Sequence, residues 1–300
     1  MEWERAKTYI LIAFIILNVG LGSLRFIEHR RFSISQDQIA NITSVLSRNN
    51  IHLYTTLIQR FPPMQPLEIT GFYYETEMLK SIFFEGFEGE VNVSSEWEGH
   101  TLLETDNALL EITNGFIFFE NKLIPIGYEA AGTEAAGGAL PTPGLNPRET
   151  ADGFIVRHFP SFRFDFSFRS YLGGGMYGTR LIYRQIYRGQ AIHTNFVEFL
   201  VTDEGIAQIE AQFGRIIGHG GTYRHIFSSD EALLTFMQLM RNIALESPVF
   251  ISNMDMVYLK EYASDQPGST YQAVPFYRIF ILGNDDFPFL INAYTNTMIN

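Results

Sequence analysis

Seventeen consecutive residues near the start of the chain, Thr8 to Leu24 (TYILIAFIILNVGLGSL), carry no formal charge, and Arg5, Lys7 and Arg25 flank them. A run of this kind is too apolar for a surface helix and sits at the short end of what crosses a bilayer. It predicts a transmembrane helix over 8–26, with Trp3 and Tyr9 at the headgroup level and Arg25 snorkelling. A cleaved signal peptide is the rival reading. Its apolar core would normally be shorter, although Gly20-Leu21-Gly22 has small-x-small spacing. Nearby Lys and Arg do not orient such a span. The acidic remainder, with no second apolar run of spanning length, is what suggests a cytoplasmic N-terminus (1–7) and an extracytoplasmic body.

On that helix Ile10, Phe14, Leu17, Asn18 and Leu21 fall on one face, a candidate contact stripe for a partner helix. Asn18 would place an amide in hydrocarbon, where it needs a neighbouring helix, or else water at the boundary.

Composition removes several classes. With no Cys there is no disulfide scaffold, thiolate metal site or cysteine nucleophile. A formal charge of -12 argues against a nucleic-acid partner, whose phosphates need a basic surface. Apolar content of 46% with 15% aromatics is ample for a core.

The fold class expected is α+β: the single membrane helix, then two extracytoplasmic modules of antiparallel sheet with packed helices, over 27–130 and 153–300, joined by a Gly/Ala/Pro linker over 131–152. Ser35 and Gln38 have capping-box spacing before Ile39, Ile42 and Leu46. The segments EITGFYYE, KSIFFEG, EVNVSS, ALLEIT and GFIFFEN read as short strands. In the second module Phe154 to Phe168 alternates like a strand, and Arg180 to Gly189 runs strand-like into a turn. Asp203-Glu204-Gly205 and Gly283-Asn-Asp-Asp286 suit hairpins. Ser228 and Glu231 repeat the capping-box spacing ahead of a helix whose buried face is Leu233, Phe236, Met237, Met240 and Ile243.

Chemistry is sparse. Leu172-Gly-Gly-Gly-Met-Tyr-Gly178 lacks the Lys and the following helix of a phosphate loop, and reads as a strand connection. His219 and His225 match no metal-binding spacing. There is no Gly-x-Ser-x-Gly elbow and no His-Glu-x-x-His helix, and Asp203-Glu204 and Asp285-Asp286 fall on expected turn tips. Catalytic residues, metal ligands and cofactor are therefore all expected to be none, and the chain is not expected to be an enzyme.

Three stretches carry a resemblance: Met1-Glu-Trp-Glu-Arg-Ala-Lys-Thr8 with the apolar run to Asn18; Tyr183-Arg-Gln-Ile-Tyr-Arg-Gly-Gln-Ala-Ile192; and Pro275-Phe-Tyr-Arg-Ile-Phe with Ile291-Asn-Ala-Tyr-Thr295. Together they resemble the YycI family, regulators of the WalK–WalR two-component system of Gram-positive bacteria, related to YycH. The resemblance implies a single-pass cell-membrane protein, held in the lipid bilayer by its N-terminal helix. Its implied partners are a YycH-like protein and a WalK-like sensor histidine kinase, which it modulates in cell-wall homeostasis through transmembrane-helix contact. The alternative is an extracytoplasmic ligand- or cell-wall-binding module, which needs a concave aromatic pocket. An envelope hydrolase needs a nucleophile–base pair that the sequence does not display.

Overall fold

The computed structural model describes residues 2–71, 75–124, 146–159, 164–169, 178–242, 247–260 and 269–299. In chain order, α1 (Glu2–Arg31) leads into α2 (Gln36–Arg48), β1 (Ile51–Leu53), β2 (Leu67–Gly71) and α3 (Thr76–Phe83). There follow β3 (Asn92–Ser94), β4 (His100–Glu104), β5 (Ala108–Thr113), β6 (Phe116–Asn121) and α4 (Pro147–His158). Next come β7 (Phe164–Arg169), β8 (Thr179–Tyr187), β9 (Gln190–Thr202), β10 (Gly205–Gln212), β11 (Gly214–His219) and α5 (Ser229–Asn242). The chain closes with β12 (Val249–Lys260), β13 (Thr270–Ile281), β14 (Asn284–Asn292) and β15 (Met298–Ile299).

Two compact units are interleaved along this order. The first comprises Met1–Gln65, Thr222–Met256 and Pro275–Asn300, and the second Pro66–Gly221 and Val257–Val274. In the first unit the capping box at Ser35 forms in full, Gln38 N–H donating to Ser35 Oγ and Ser35 N–H to Gln38 Oε1. It starts α2, which buries Ile42 and Leu46. Ser228 N–H donates to Glu231 Oε2 at 2.8 Å, so the reach-back limb of the second box is present ahead of α5. Ala232, Leu233, Phe236, Met237 and Met240 are buried along α5 at the expected period. β1 pairs in parallel with the start of β12, and β13 with β14 antiparallel. Arg278 is buried and clamps Asp255 with two bonds, Nε to Oδ1 at 2.7 Å and Nη2 to Oδ2 at 2.5 Å.

The second unit is a sheet with helices packed on it. Leu103, Leu110, Ile117, Leu181, Val197 and Phe199 supply its core, against which Leu79 and Phe83 of α3 and Ala151 of α4 are buried. The turn between β8 and β9 is Arg188-Gly189, both at positive φ (49° and 88°), which suits a tight hairpin. Gly214 is required by proximity, because a Cβ there would collide with Ile69 Cγ2 and Tyr271 OH.

Several expectations need correction. The sheet is mixed and not simply antiparallel, since β12 runs parallel to both β1 and β9. KSIFFEG is helical from Lys80 to Phe83, because Leu79 and Phe83, four apart, bury one helix face. Helix α4 begins inside the expected linker and takes in Phe154 to His158, which were expected to be strand. Asn146 caps it through Arg148 N–H, with a proline in the first turn. The tight turn of the last hairpin falls at Leu282-Gly283, so Asp285 and Asp286 lie on β14.

The transmembrane expectation is also corrected: among the described residues no helix is long and apolar enough to cross a membrane. Seventeen uncharged residues rise about 26 Å, short of a hydrocarbon core of about 30 Å. Asn18, Gly20, Gly22 and Ser23 further dilute the run. The span over 8–26 is withdrawn, and with it the single-pass placement with an internal N-terminus and an external body.

Candidate partner-binding helix

Ile10, Phe14, Leu17, Asn18 and Leu21 do lie on α1 at spacings that share one face. Their apolar members are open, Ile10 at 67%, Phe14 at 64%, Leu17 at 57% and Leu21 at 52% relative exposure. The stripe is not set off by polar flanks, because Leu11, Ile12, Ile15, Ile16 and Val19 are exposed on the other sides. A helix that is apolar all round is stable in water only when something covers it. Asn18 is not an orphan amide: its Nδ2 donates to Phe14 O at 2.8 Å, one turn back on the same helix. Before the run, the Lys7 ammonium lies 5.3 Å from the Trp3 ring centroid, so this cation is held against an aromatic face.

The other sequence candidates are not drawn together. His219 falls in the second unit, its ring edge-on to Tyr187 at 5.5 Å, whereas His225 falls in the first, stacked on Phe32 at 5.6 Å. Among the described residues no group of three or more His, Asp or Glu is placed to hold a metal ion. The glycine-rich stretch lies outside the described residues apart from Gly178, as does Ile243 at the end of the expected α5 face. Asp203-Glu204 sits on the turn between β9 and β10.

Burial and charge perturb a few groups, and each has a structural cause. The Tyr277 hydroxyl is pushed well above its ordinary range by burial and then by Asp230 and Glu231, and it donates to Phe227 O at 2.7 Å. Burial also raises Tyr183, aided by its 2.7 Å hydrogen bond to Asp152. Glu198 is raised by burial, which Arg180 beside it only partly offsets. Each is tied into an element rather than aimed at a shared opening, so these shifts read as packing.

Two constellations in the second unit escaped the sequence reading. Asn195 is fully buried in β9 and donates to Gln185 Oε1 at 2.6 Å and to Gly214 O at 2.9 Å. Trp97, half-exposed, stacks on the buried His100 with ring centroids 4.2 Å apart. A lone Trp in a glutamate-rich turn was the available signal for the second; an Asn within a strand pattern offers none.

No protein-family model matches the chain, and no curated protein matches it significantly. Among solved structures, the chain is similar to an uncharacterized protein from Eubacterium rectale, at 10% identity and a TM-score of 0.53, over 83% of this chain and 90% of that one. It also matches the C-terminal domain of YpeB from Bacillus megaterium, at 11% identity and a TM-score of 0.36, over 75% and 93% of the two chains. The first similarity shows a shared sheet-rich fold and nothing about activity. The second is too weak to support an argument.

Proposed function

We propose that the chain is a regulatory binding protein of the YycI type, which modulates a WalK-like sensor histidine kinase together with a YycH-like protein. The observation that carries this reading is the apolar helix α1, with Ile10, Phe14, Leu17 and Leu21 all exposed. The three stretches shared with the YycI pattern support the choice of partner. Packing against an apolar partner helix would remove these side chains from water, at about 25 cal/mol for each Å² covered.

Regulation then follows from differential binding. A regulator that binds one kinase state tenfold more tightly than the other shifts the balance between them tenfold, which is about 1.4 kcal/mol. The reading assigns no catalytic step to this chain.

Co-purification of the full chain with a co-produced WalK-like kinase tests it. Recovery of the kinase, lost on replacing Phe14 and Leu17 together by Ala, is the expected result. No kinase with the unaltered chain, or equal recovery with the double variant, overturns the assignment or the docking element respectively.

A further inference from the structure

The second unit has an open sheet edge whose surroundings are rich in carboxylates. β3 pairs with β4 on one side, Asn92 opposite Glu104 through Ser94 opposite Leu102. Among the described residues nothing pairs its other side, since β3 ends the strand order. Asn92, Val93 and Ser94 are all exposed. Unpaired N–H and C=O groups on such an edge are a ready template for another strand.

Beside the edge stands a rigid aromatic. Ser95 Oγ donates to His100 O at 2.6 Å and also lies 3.1 Å from Trp97 O, and His100 N–H donates to Trp97 O at 3.1 Å. Glu96 N–H points to His100 Nδ1 at 3.4 Å. These bonds hold the turn, and His100 backs one face of the indole, leaving Trp97 51% exposed. A pre-organised ring loses little entropy on binding.

Charge identifies the occupant. From Ser81 to Asn121 the chain has no Lys or Arg. Glu85, Glu88, Glu90, Glu96 and Glu98 flank β3 and are exposed. Arg157 approaches Glu85 at 3.9 Å and Lys122 binds Glu104 at 2.6 Å, but the described residues place no cation against Glu88, Glu90, Glu96 or Glu98. An acidic field beside an exposed indole favours a cation twice, through Coulomb attraction and through the ring face.

We propose that β3 and the Ser95–His100 turn bind an extended, Lys- or Arg-bearing peptide segment, which adds as a further strand beside β3 and lays a basic side chain over the open face of Trp97. Main-chain hydrogen bonds hold the segment, while the carboxylates and the indole select for positive charge. This surface is independent of α1, so it stands or falls apart from the kinase reading.

The chain contains two tryptophans, so Trp3→Phe makes Trp97 the sole indole reporter. The full chain carrying that change is titrated with a seven-residue peptide of alternating Lys and Val, blocked at both ends. The controls are the same peptide with Glu for Lys, and the Lys peptide N-methylated along its backbone. A saturable change in Trp97 emission with the Lys peptide, absent with both controls, is expected. Glu96→Gln with Glu98→Gln should weaken that binding about three- to tenfold, as should raised salt. No change with the Lys peptide overturns the proposal, as does an equal change with the Glu peptide. Equal binding of the N-methylated peptide also overturns it, since it would show charge attraction without strand addition.

Discussion

Two helices of the first unit, α1 and α5, are both rich in large apolar residues, and they meet opposite fates. On α5, Leu233, Phe236, Met237 and Met240 are buried while Leu234 is 37% exposed, as an amphipathic period requires. On α1, large apolar side chains from Tyr9 to Leu21 are exposed on every side. A single apolar stripe folds a helix onto its own chain, because it has one face to hide and one to leave in water. An apolar surface all round leaves too much for one domain to cover, which is the premise of the docking role proposed above.

The sharpest test of the contrast is truncation of each helix's apolar contacts. Phe236 is fully buried and meets the Phe289 ring edge-on at 5.2 Å. Phe236→Ala should cost about 3–5 kcal/mol. Denaturant unfolding of the variant checks this, and a loss under 1 kcal/mol would mean that α5 is not anchored as described.

Next in size is the hydroxyl near the start of α5. Tyr277→Phe leaves Phe227 O without its donor and should cost about 1–2 kcal/mol at neutral pH. The alkaline limb should change as well. The folded state keeps the Tyr277 proton at pH values where the unfolded chain has released it, so this contribution is fully present below the ordinary tyrosine pKa of about 10 and is lost as pH rises above it. The variant should show a shallower stability loss in that alkaline range than the parent. An unchanged slope would show that Tyr277 ionises as it does in the unfolded chain.

The cap is worth less. Ser228 N–H and Oγ both donate to Glu231 Oε2 at 2.8 Å, and Oγ also contacts Asp230. Ser228→Ala should lower stability by about 1 kcal/mol, whereas the exposed Ser44 in the middle of α2 has no cap to lose. Thermal melts of the two classes of substitution, compared side by side, check the difference.

The smallest expected effect on folding comes from α1. Phe14→Ala and Leu17→Ala should each move the stability of the isolated chain by no more than about 0.5 kcal/mol, although their side chains resemble those of α5. A loss of several kcal/mol in dilute solution would show that α1 packs on its own chain, and would collapse the contrast.

Much that is local was legible. The Ser35–Gln38 cap, the α5 burial period and the turn at Gly189 each depend on a handful of neighbouring residues, and each formed where expected. The misses have equally specific causes. Ile82-Phe83-Phe84 suggested a strand because a dense apolar run hides its period, and the pair that decided the helix is Leu79 with Phe83. Phe154 to His158 suggested a strand too, although Asn146-Pro147 carried a start signal for α4 inside a stretch judged too poor in apolar residues to order. Of the candidate contact stripe, the shared face followed from spacing alone, while the full apolar girth of α1 and the internal hydrogen bond of Asn18 required the side chains in place.

Alone, the sequence determined the starts and burial periods of α2 and α5, the turns at Gly189 and Asp203-Glu204, and the acidity of the stretch around β3. Those features are written within one or two turns of chain, where backbone sterics and side-chain hydrogen bonds act directly. Tertiary structure decided which distant strands meet: Ile51 lies beside Val249, Leu67 faces Ala273, and two compact units are threaded through one another along the chain. Such pairings are selected by the fit of whole buried faces across some two hundred residues of intervening chain, and no local pattern encodes that fit.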